Sequence, residues 1–468
     1  MQPNVASYKD TFRDHLSNAR DNGDRKWLHP RVIKGPLHRW RTVVAWVLLT
    51  ALFTGPFLSY DGHPLFLFNV LERQFIVFGV TFWPQDFHLV AIGLITFIVF
   101  IILFTVVYGR VWCGWACPQT IFMEMVFRKI EIWIEGDHNA RKRLDAAPWT
   151  TDKVLKKTAK HTIFFLIAFV ISNTFLAYII GKDALLEIVT DNPANHLGGL
   201  ASILIFTGAF YVVFAKLREI VCITICPYGR LQGVLLDKNS IVVAYDDVRG
   251  EPRGKIKKNE SPIQLKGDCI DCALCVHVCP TGIDIRNGTQ LECINCTACI
   301  DACDSVMDKV GRPRGLIRYD SLAGIQEKKP LRFTARIKAY SAVLVALIGV
   351  LVFLLVSRSD VETTLLRAPG QLYQREANGM VSNLYTIEVV NKTYRSMPVR
   401  FRLSRPDATI RMVQPLTAVP ASDMAKGVFF ILLPEKSIQE SSTKLELEVI
   451  SGDKVIERST TTFLGPVN

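Results

Sequence analysis

The sequence lacks isolated cysteines, because all twelve fall into four closely spaced sets. These sets are Cys113/Cys117, Cys222/Cys226, Cys269/Cys272/Cys275/Cys279 and Cys293/Cys296/Cys299/Cys303. Such spacing argues against a disulfide framework and is typical of metal chemistry in a reducing compartment. A secretory signal peptide is also not recognisable in residues 1–37, which are polar, so the first apolar segment is expected to stay in the membrane.

Charged residues are scarce, at 21% of 468 residues, whereas 49% are apolar. This length exceeds one ordinary domain, and this apolar content is high for a soluble protein. The formal net charge of +12 would suggest nucleic-acid binding if it covered a soluble surface. Here Lys and Arg are concentrated in particular loops, which indicates membrane topology, and we expect no nucleic-acid partner.

Five segments are long and apolar enough to span a bilayer, which takes roughly 20 residues each. They are predicted at about 41–60, 87–109, 161–181, 198–215 and 337–357. The stretch 64–83 is apolar too, but it contains Glu72, Arg73 and Gln74 and is predicted as an interfacial or re-entrant piece.

The loop charges predict the orientation. Residues 1–40, 110–160 and 216–336 are rich in Lys and Arg, whereas loop 61–86 has only Arg73 and loop 182–197 only Lys182. The positive-inside rule places the three basic segments in the cytoplasm. All twelve cysteines then lie in or at the edge of the cytoplasm, and five crossings place residues 358–468 on the other side of the membrane.

The C-terminal residues 358–468 contain no cysteine and no histidine. Apolar and polar residues alternate there, as in 384–389, 399–403 and 445–449, and turn residues such as 451–453 separate the runs. Several short strands at this spacing predict a small β-sandwich without chemistry of its own.

The two longest cysteine runs both read C-x2-C-x2-C-x3-C, the spacing of bacterial ferredoxin ligands. In two-cluster ferredoxins the fourth cysteine of each run binds the other cluster. We therefore assign two 4Fe–4S clusters to a module at about 259–310. Cluster 1 takes Cys269, Cys272, Cys275 and Cys303, and cluster 2 takes Cys293, Cys296, Cys299 and Cys279. Pro280 follows its cysteine as the motif requires, whereas Asp304 replaces the second proline.

A pair of zinc sites is the alternative for these eight cysteines. Zinc ribbons use two C-x2-C pairs at a longer separation rather than triplets, so the spacing favours iron–sulfur clusters. His277 lies between ligands, but the cysteine count is complete without it. We interpret it as a packing residue.

Cys113/Cys117 and Cys222/Cys226 each form a C-x3-C-P motif after an even-numbered span. On a helix, positions i and i+4 share one face, and the proline would disrupt or end the helix just after the pair. If the two span ends are adjacent, four thiols converge on a site that favours Cu(I), zinc or an iron–sulfur cluster. A redox-active dithiol, or simply small buried residues, are the alternatives.

Other residues near the membrane surfaces carry weaker signals. Trp112 and Trp115 are interpreted as interfacial anchors or as residues that shape the thiol site. Asp86 and His88, at the outer end of the second span, are candidates for a metal ion or a quinone head group, although a structural pair is the simpler interpretation.

Three stretches resemble a known family: residues 112–118 (WCGWACP), residues 279–293 from the ferredoxin run, and residues 315–319 (GLIRY). In this combination the chain resembles the cytochrome c oxidase accessory proteins called CcoG, FixG or RdxA. The resemblance implies an α-helical membrane protein with five transmembrane helices, an inserted α+β ferredoxin-like domain and a C-terminal all-β Ig-like sandwich. The apolar spans and the loop charges divide the sequence into 1–40, 41–215 with its loop 110–160, 216–336, 337–357 and 358–468.

The resemblance also implies a role in assembling a cbb-type oxidase through reduction of Cu(II) to Cu(I), a cupric reductase activity. The two clusters would receive electrons from a cytoplasmic donor and pass them to the site at Cys113, Cys117, Cys222 and Cys226, where copper or a third metal centre is bound. The expected partners are the lipid bilayer, copper ion, and copper-transport and oxidase assembly proteins. A homodimer is compatible with the sequence.

Two rival interpretations stay open. A quinol-linked relay to a periplasmic reductase would need a quinone pocket, for which the vicinity of His88 is the candidate. A non-enzymatic assembly scaffold would need the clusters only for folding or sensing.

Overall fold

The computed structural model describes residues 18, 22, 24–60, 62–70, 74–255, 267–328, 334–370, 372–376 and 378–466. The chain forms two compact units, one of Met1–Phe57 with Val90–Val350 and one of Leu58–Leu89 with Leu351–Asn468. The predicted start of the ferredoxin module, 259–266, and most of the N-terminal segment lie outside the described residues.

The described residues form the following α-helices: α1 (Pro36–Thr54), α2 (Phe87–Tyr108), α3 (Val111–Trp115), α4 (Pro118–Ile121), α5 (Arg128–Glu135), α6 (His138–Ala146), α7 (Thr151–Ile180), α8 (Lys182–Thr190), α9 (Leu197–Val212), α10 (Pro227–Leu235), α11 (Asp247–Gly250), α12 (Leu274–His277), α13 (Ala298–Lys309), α14 (Leu322–Glu327) and α15 (Ala335–Val356). Three π-helical segments connect some of them, at Phe122–Phe127, Val213–Leu217 and Val221–Ile225.

Within the described residues, five helical segments are long and apolar enough to cross a membrane, which confirms the predicted number. They are Pro36–Phe57, Pro84–Tyr108, Thr151–Ile180, Leu197–Leu217 and Ala335–Val356. The third begins ten residues before the predicted position 161. Its first turns are rich in lysine, which is a good helix former although its charge suggests a loop. Thr150 caps this helix by accepting a hydrogen bond from the Lys153 amide.

The membrane helices of the first unit pack around a core of aromatic side chains. The ring of Phe127 stacks on Phe214 at 4.7 Å and meets Phe164 edge-on at 4.8 Å between centroids. Beside this core, the buried carboxylate of Glu131 accepts hydrogen bonds from Arg218 at 2.9 Å and from Arg141 at 3.2 Å. These contacts join α5, α6 and the end of the fourth span through groups that would be costly to bury unpaired.

The cysteine-rich loops of the first unit flank a small two-stranded sheet. Strands β6 (Val242–Tyr245) and β7 (Ile317–Asp320) pair antiparallel. Their inward side chains and α13 enclose an apolar core that includes Val243, Ile285 and Ile317. Short helices and a small sheet around the loops give this region the α+β character that the motif predicts.

The second unit contains the remaining strands: β1 (Ser59–Tyr60), β2 (His63–Pro64), β3 (Phe66–Asn69), β4 (Gln74–Val77), β5 (Val80–Phe82), β8 (Val361–Arg367), β9 (Gln374–Arg375), β10 (Met380–Asn391), β11 (Met397–Pro398), β12 (Arg400–Leu403), β13 (Thr409–Gln414), β14 (Ala418–Val419), β15 (Asp423–Pro434), β16 (Ser442–Ser451) and β17 (Lys454–Leu464). One sheet has the order β13-β15-β10-β8, and a second has the order β12-β16-β17. Tyr385, Ile387 and Val389 alternate into a fully buried core between them, as the sequence pattern predicts.

The stretch 64–83 differs from the prediction of an interfacial or re-entrant piece. It contains the antiparallel sheet β3-β4-β5, which belongs to the same compact unit as the C-terminal strands. Within this unit, the Tyr394 hydroxyl donates to the Gly79 carbonyl, and the Gln74 amide donates to the Ser422 carbonyl at 3.2 Å. The sandwich is thereby extended by a segment that lies almost 300 residues earlier in the chain.

Candidate functional site: two cysteine loops and a thiol site

Cys269, Cys272, Cys275 and Cys303 line one cavity of the first unit. Its other walls are mostly apolar and include Tyr245, Met307 and Leu316. Cys275 is buried, whereas Cys272 is exposed. These are the four cysteines assigned to cluster 1, and one of them comes from the other run, as the crossed ferredoxin pattern expects.

Cys279, Cys293, Cys296 and Cys299 line a second cavity. Cys275 contributes to both cavities, so the two sites are neighbours. Thr281 and the apolar side chains Ile283 and Ile294 complete part of the wall. The structure thus brings together the four cysteines assigned to cluster 2, and this geometry supports the assignment.

The two loops share an unusual backbone. In the first cysteine loop (residues 269–275), Asp271 and Ala273 have φ of +53° and +54°. In the second cysteine loop (residues 293–299), the corresponding Asn295 and Thr297 have φ of +53° and +64°. The left-handed region is uncommon for residues other than glycine and is often found at functional sites. It turns each loop tightly enough to aim its three closely spaced cysteines into one cavity, and the third cysteine of each loop already lies in the first turn of α12 or α13.

The electrostatics of these cavities favour protonated thiols unless a metal replaces the proton. Burial raises the pKa of Cys275 to about 12, of Cys293 to about 12 and of Cys296 to about 11. Because metal ligation requires the thiolate, binding must release these protons. The donor set therefore fits a strongly bound, thiolate-coordinated group.

The origin of the cysteines around each cavity helps to distinguish the two candidate cofactors. Each cavity is lined by three closely spaced cysteines of one run together with a cysteine of the other run. This crossed arrangement is the one that two-cluster ferredoxins use, whereas zinc ribbons use two C-x2-C pairs. The arrangement fits 4Fe–4S clusters better than zinc.

The membrane cysteine pairs are built differently from the prediction. Cys113 lies in α3, which ends before Cys117, and Cys117 caps α4, whose first residue is Pro118. Cys222 lies in the π-helical segment Val221–Ile225, and Cys226 caps α10. Each proline therefore opens a new helix, where its missing N–H costs nothing, and each pair spans a helix break rather than one helical face.

The four membrane thiols nevertheless form one group. Burial, together with the neighbouring Cys117, Cys113 and Cys226, raises the pKa of Cys222 to about 12. Burial also raises the pKa of Cys113 to about 12. The Cys113 thiol donates to the Gln232 side-chain oxygen at 3.1 Å. The prediction that the two span ends converge agrees with this geometry.

The thiol site lies directly against the second cysteine loop. Gly114, between Cys113 and Cys117, is so close that a Cβ there would stand 2.5 Å from the Ile294 carbonyl oxygen. The Tyr319 hydroxyl donates to the Asn295 carbonyl at 2.9 Å and accepts from the Trp115 indole at 3.0 Å. Trp115 thus shapes this junction, which was one of its two predicted roles.

Arg110 forms a second bridge across the same junction, and sequence reasoning missed it. Its guanidinium donates to the carbonyls of Leu291 and Gly229 and, at 3.0 Å, to the side-chain oxygen of Gln232. Arg110 is only 4% exposed. In the sequence it counts as one more cytoplasmic loop charge, and only its position three residues before Cys113 sets it apart.

The remaining candidate residues have structural partners. In the second unit, Asp86 accepts from Arg358 at 2.6 Å and from Lys392 at 2.7 Å. His88 is exposed and is not part of that ion cluster. In the first unit, the His277 ring lies 5.9 Å from the His138 ring rather than in a cysteine cavity. The structural interpretations of Asp86 and His277 agree with these contacts.

Comparisons with known families match three regions of the chain. A 4Fe-4S dicluster domain matches residues 217–322, and a 4Fe-4S binding domain matches residues 90–136, which include Cys113 and Cys117. An Ig-like fold found at the C-terminal of FixG matches residues 351–466. These matches support iron–sulfur clusters and confirm the Ig-like class of the C-terminal domain.

Several curated proteins are similar over most of the chain. The nitrogen fixation protein FixG of Rhizobium meliloti is 35% identical over 83% of this chain and 81% of its own. Protein RdxB of Cereibacter sphaeroides is 34% identical over 93% of this chain and 96% of its own, and RdxA of that organism is 38% identical over 81% of each. A solved FixG-related protein from Vibrio parahaemolyticus aligns with 23% of this chain and 97% of its own, with 16% identity and a TM-score of 0.21.

Proposed function

The chain belongs to the family of FixG, RdxA and RdxB, and from this premise we propose that it reduces Cu(II) to Cu(I) for assembly of a cbb-type cytochrome c oxidase. It is a membrane-linked iron–sulfur protein of the electron-transfer class.

One observation carries the proposal: the second cysteine cavity and the membrane thiol site are in contact through Gly114 and Arg110. When bound, 4Fe–4S clusters in the two cavities each take up and release one electron. Cys275 lies between the cavities, and the exposed Cys272 marks the side of cluster 1 that a donor could approach. The chain thus orders a donor face, two cofactor sites and a thiol site in sequence.

Copper enters this proposal as the substrate. A Cu(II) ion at the thiol site gains one electron and becomes Cu(I), the oxidation state that soft sulfur ligands prefer. Arg110 and Gln232 position the Cys113 side of the site.

We further propose an inner-membrane location with the cysteine sites facing the cytoplasm and the Ig-like domain facing the periplasm. The support is the excess of Lys and Arg in residues 110–160 and 216–336. A cytoplasmic electron donor, copper-transport proteins and oxidase assembly proteins are the partners that this location would serve.

The test is stopped-flow mixing of the dithionite-reduced, full-length protein with Cu(II) under anaerobic conditions, observed at the cluster absorbance. We expect rapid oxidation with formation of Cu(I), which a Cu(I)-specific chelator quantifies. Mixing with a soluble quinone instead is the matched control. Oxidation by quinone alone would replace the proposal with the quinol relay, and oxidation by neither would favour the scaffold.

A further inference from the structure

We infer that the first unit binds the phosphate headgroup of an anionic phospholipid in a cavity beside the second cysteine loop. Three segments form this cavity: residues 30–33, the first turns of α1, and residues 124–132 around the start of α5. Pro280 and Ala298 close it from the side of the ferredoxin module.

The cavity collects more positive charge than the described residues neutralise. Arg31, His38, Arg41, Arg128 and Lys129 all line it, against one acidic residue, Glu124. Arg128 is already paired with Glu124 at 2.9 Å. For Arg31, Arg41 and Lys129, the described part of the chain supplies no carboxylate within ion-pair distance. Arg31 and Lys129 are exposed to solvent, whereas Arg41 is buried, so Arg41 is the cation that a bound anion would stabilise most.

Arg41 is the strongest indicator of a ligand. It is only 5% exposed, and its Nε donates to the Gly114 carbonyl at 2.7 Å. One of its terminal nitrogens, Nη2, is buried and has no hydrogen-bond partner within the described residues. A buried, unsatisfied guanidinium nitrogen is costly, and a phosphate oxygen is a well-suited acceptor. Burial and the charge of Arg41 together lower the pKa of Lys129, which a bound anion would offset.

The position of the cavity favours a lipid over free phosphate. It lies at the start of the first membrane-spanning segment, and the neighbouring tryptophans Trp40 and Trp133 are 64% and 80% exposed. Exposed tryptophans of this kind are typical of the bilayer interface. Val32, Ile33 and Ile132 give the cavity apolar walls beside its cations, which suits the junction of a headgroup with its acyl chains.

The lipid would influence the neighbouring cluster site, and this part of the inference rests on the proposed function. Arg41 donates to the Gly114 carbonyl, and Gly114 lies against Ile294 and Asn295 of the second cysteine loop. A phosphate beside Arg41 would add negative charge there and disfavour an extra electron on cluster 2. Its reduction potential would fall, and electron release towards the thiol site would become more favourable.

The test uses the full-length protein in nanodiscs of phosphatidylcholine with increasing phosphatidylglycerol. Native mass spectrometry counts bound lipid, and an EPR redox titration follows cluster 2. We expect Lys129→Gln to bind phosphatidylglycerol roughly fivefold more weakly, as removal of one cation near the surface should. Lys142→Gln, which changes an exposed lysine outside the cavity, is the matched control.

Each result decides the inference without using copper, so its failure is distinct from failure of the proposed function. A lower cluster 2 potential with phosphatidylglycerol, lost in Lys129→Gln and kept in Lys142→Gln, would support it. Equal lipid binding by the two variants would overturn it. Release of the bound lipid by millimolar inorganic phosphate would show a free-phosphate site instead. Arg31→Gln gives a second, independent variant.

Discussion

The ferredoxin loops and the membrane cysteine pairs use the same side chain in two different ways. In the loops, left-handed residues such as Ala273 and Thr297 aim closely spaced cysteines into one cavity within a few residues of chain. In the membrane pairs, the proline-initiated helix begins directly after the second cysteine, and packing between distant segments brings the two pairs together. Local backbone geometry thus places three of the four thiols of each cluster site, whereas tertiary structure assembles the membrane thiols.

This difference suggests a division of labour. A site made by local backbone geometry and closed by apolar walls suits a permanently bound cofactor, because its ligands are arranged before the cofactor arrives. A site assembled across α3, α4 and α10 depends on the junction around Arg110 and can change with it. Such a site suits a passing substrate.

The largest expected effect is the loss of a cluster from the loops. Intact protein purified without air should contain about eight irons per chain. Cys296→Ser should reduce this to about four and abolish Cu(II) reduction, because cluster 2 adjoins the thiol site. Cys272→Ser, at the exposed end of the other cavity, is the matched variant and should lose cluster 1 instead. Iron analysis and EPR measure both. Zinc without iron in the unmodified protein would contradict the cofactor assignment.

Substitutions in the membrane cysteine pairs should affect copper reduction without affecting the iron–sulfur content. Replacing both Cys113 and Cys117 with serine should leave the iron content and the cluster spectrum unchanged but abolish Cu(II) reduction. Chelator-detected Cu(I) and visible absorbance give the two readings. Unchanged copper reduction would show that these thiols take no part in the mechanism. A lower iron content than in the unmodified protein would instead identify a third iron–sulfur centre at these cysteines.

The local site was also the one that sequence could predict. The C-x2-C-x2-C-x3-C spacing predicts both the loop and the crossed ligand sets, and each cavity is lined by the four cysteines of one set. The membrane pairs were predicted as one helical face, because sequence spacing alone does not show that Pro118 opens a helix rather than ending one.

Long-range contacts account for the other differences. Arg110 was read as a loop charge, since nothing near it in sequence reveals the carbonyls of Leu291 and Gly229 that it binds. The sheet of residues 66–82 was missed for a similar reason. Its strands are short and mostly apolar, and they belong to a unit whose two larger sheets begin only at Val361.

A substitution at Arg110 should disturb the membrane thiol site while both cluster sites stay intact. Arg110→Lys retains the charge but loses the planar, forked guanidinium whose hydrogen bonds join α10 to the second cysteine loop. We expect the free energy of unfolding to fall by about 3 kcal/mol, given several buried charged hydrogen bonds, and Cu(II) reduction to slow several-fold with both clusters retained. Arg230→Lys, an exposed arginine on α10, is the control and should change neither. An equal effect of the two variants would show that Arg110 does not link the sites.

The smallest expected effect tests the backbone difference itself. Ala273 adopts a left-handed conformation, which costs an L-residue about 1–2 kcal/mol and costs glycine almost nothing. Glycine also gains freedom in the unfolded chain, so Ala273→Gly should stabilise the holoprotein by roughly 0.5–1 kcal/mol. Ala116→Gly, between Cys113 and Cys117, should destabilise by a similar amount, because Ala116 has φ of −121° and gains nothing from glycine.

Thermal unfolding followed at the cluster absorbance can resolve these opposite shifts. Thr297→Gly is a third variant for this comparison, at the position in the second cysteine loop that corresponds to Ala273. There the threonine hydroxyl donates to the Cys296 carbonyl at 2.6 Å, and losing this hydrogen bond should cancel most of the gain. If Ala273→Gly and Ala116→Gly shift stability in the same direction, the left-handed residues do not distinguish the loops from the membrane pairs, and tertiary packing must arrange both sites.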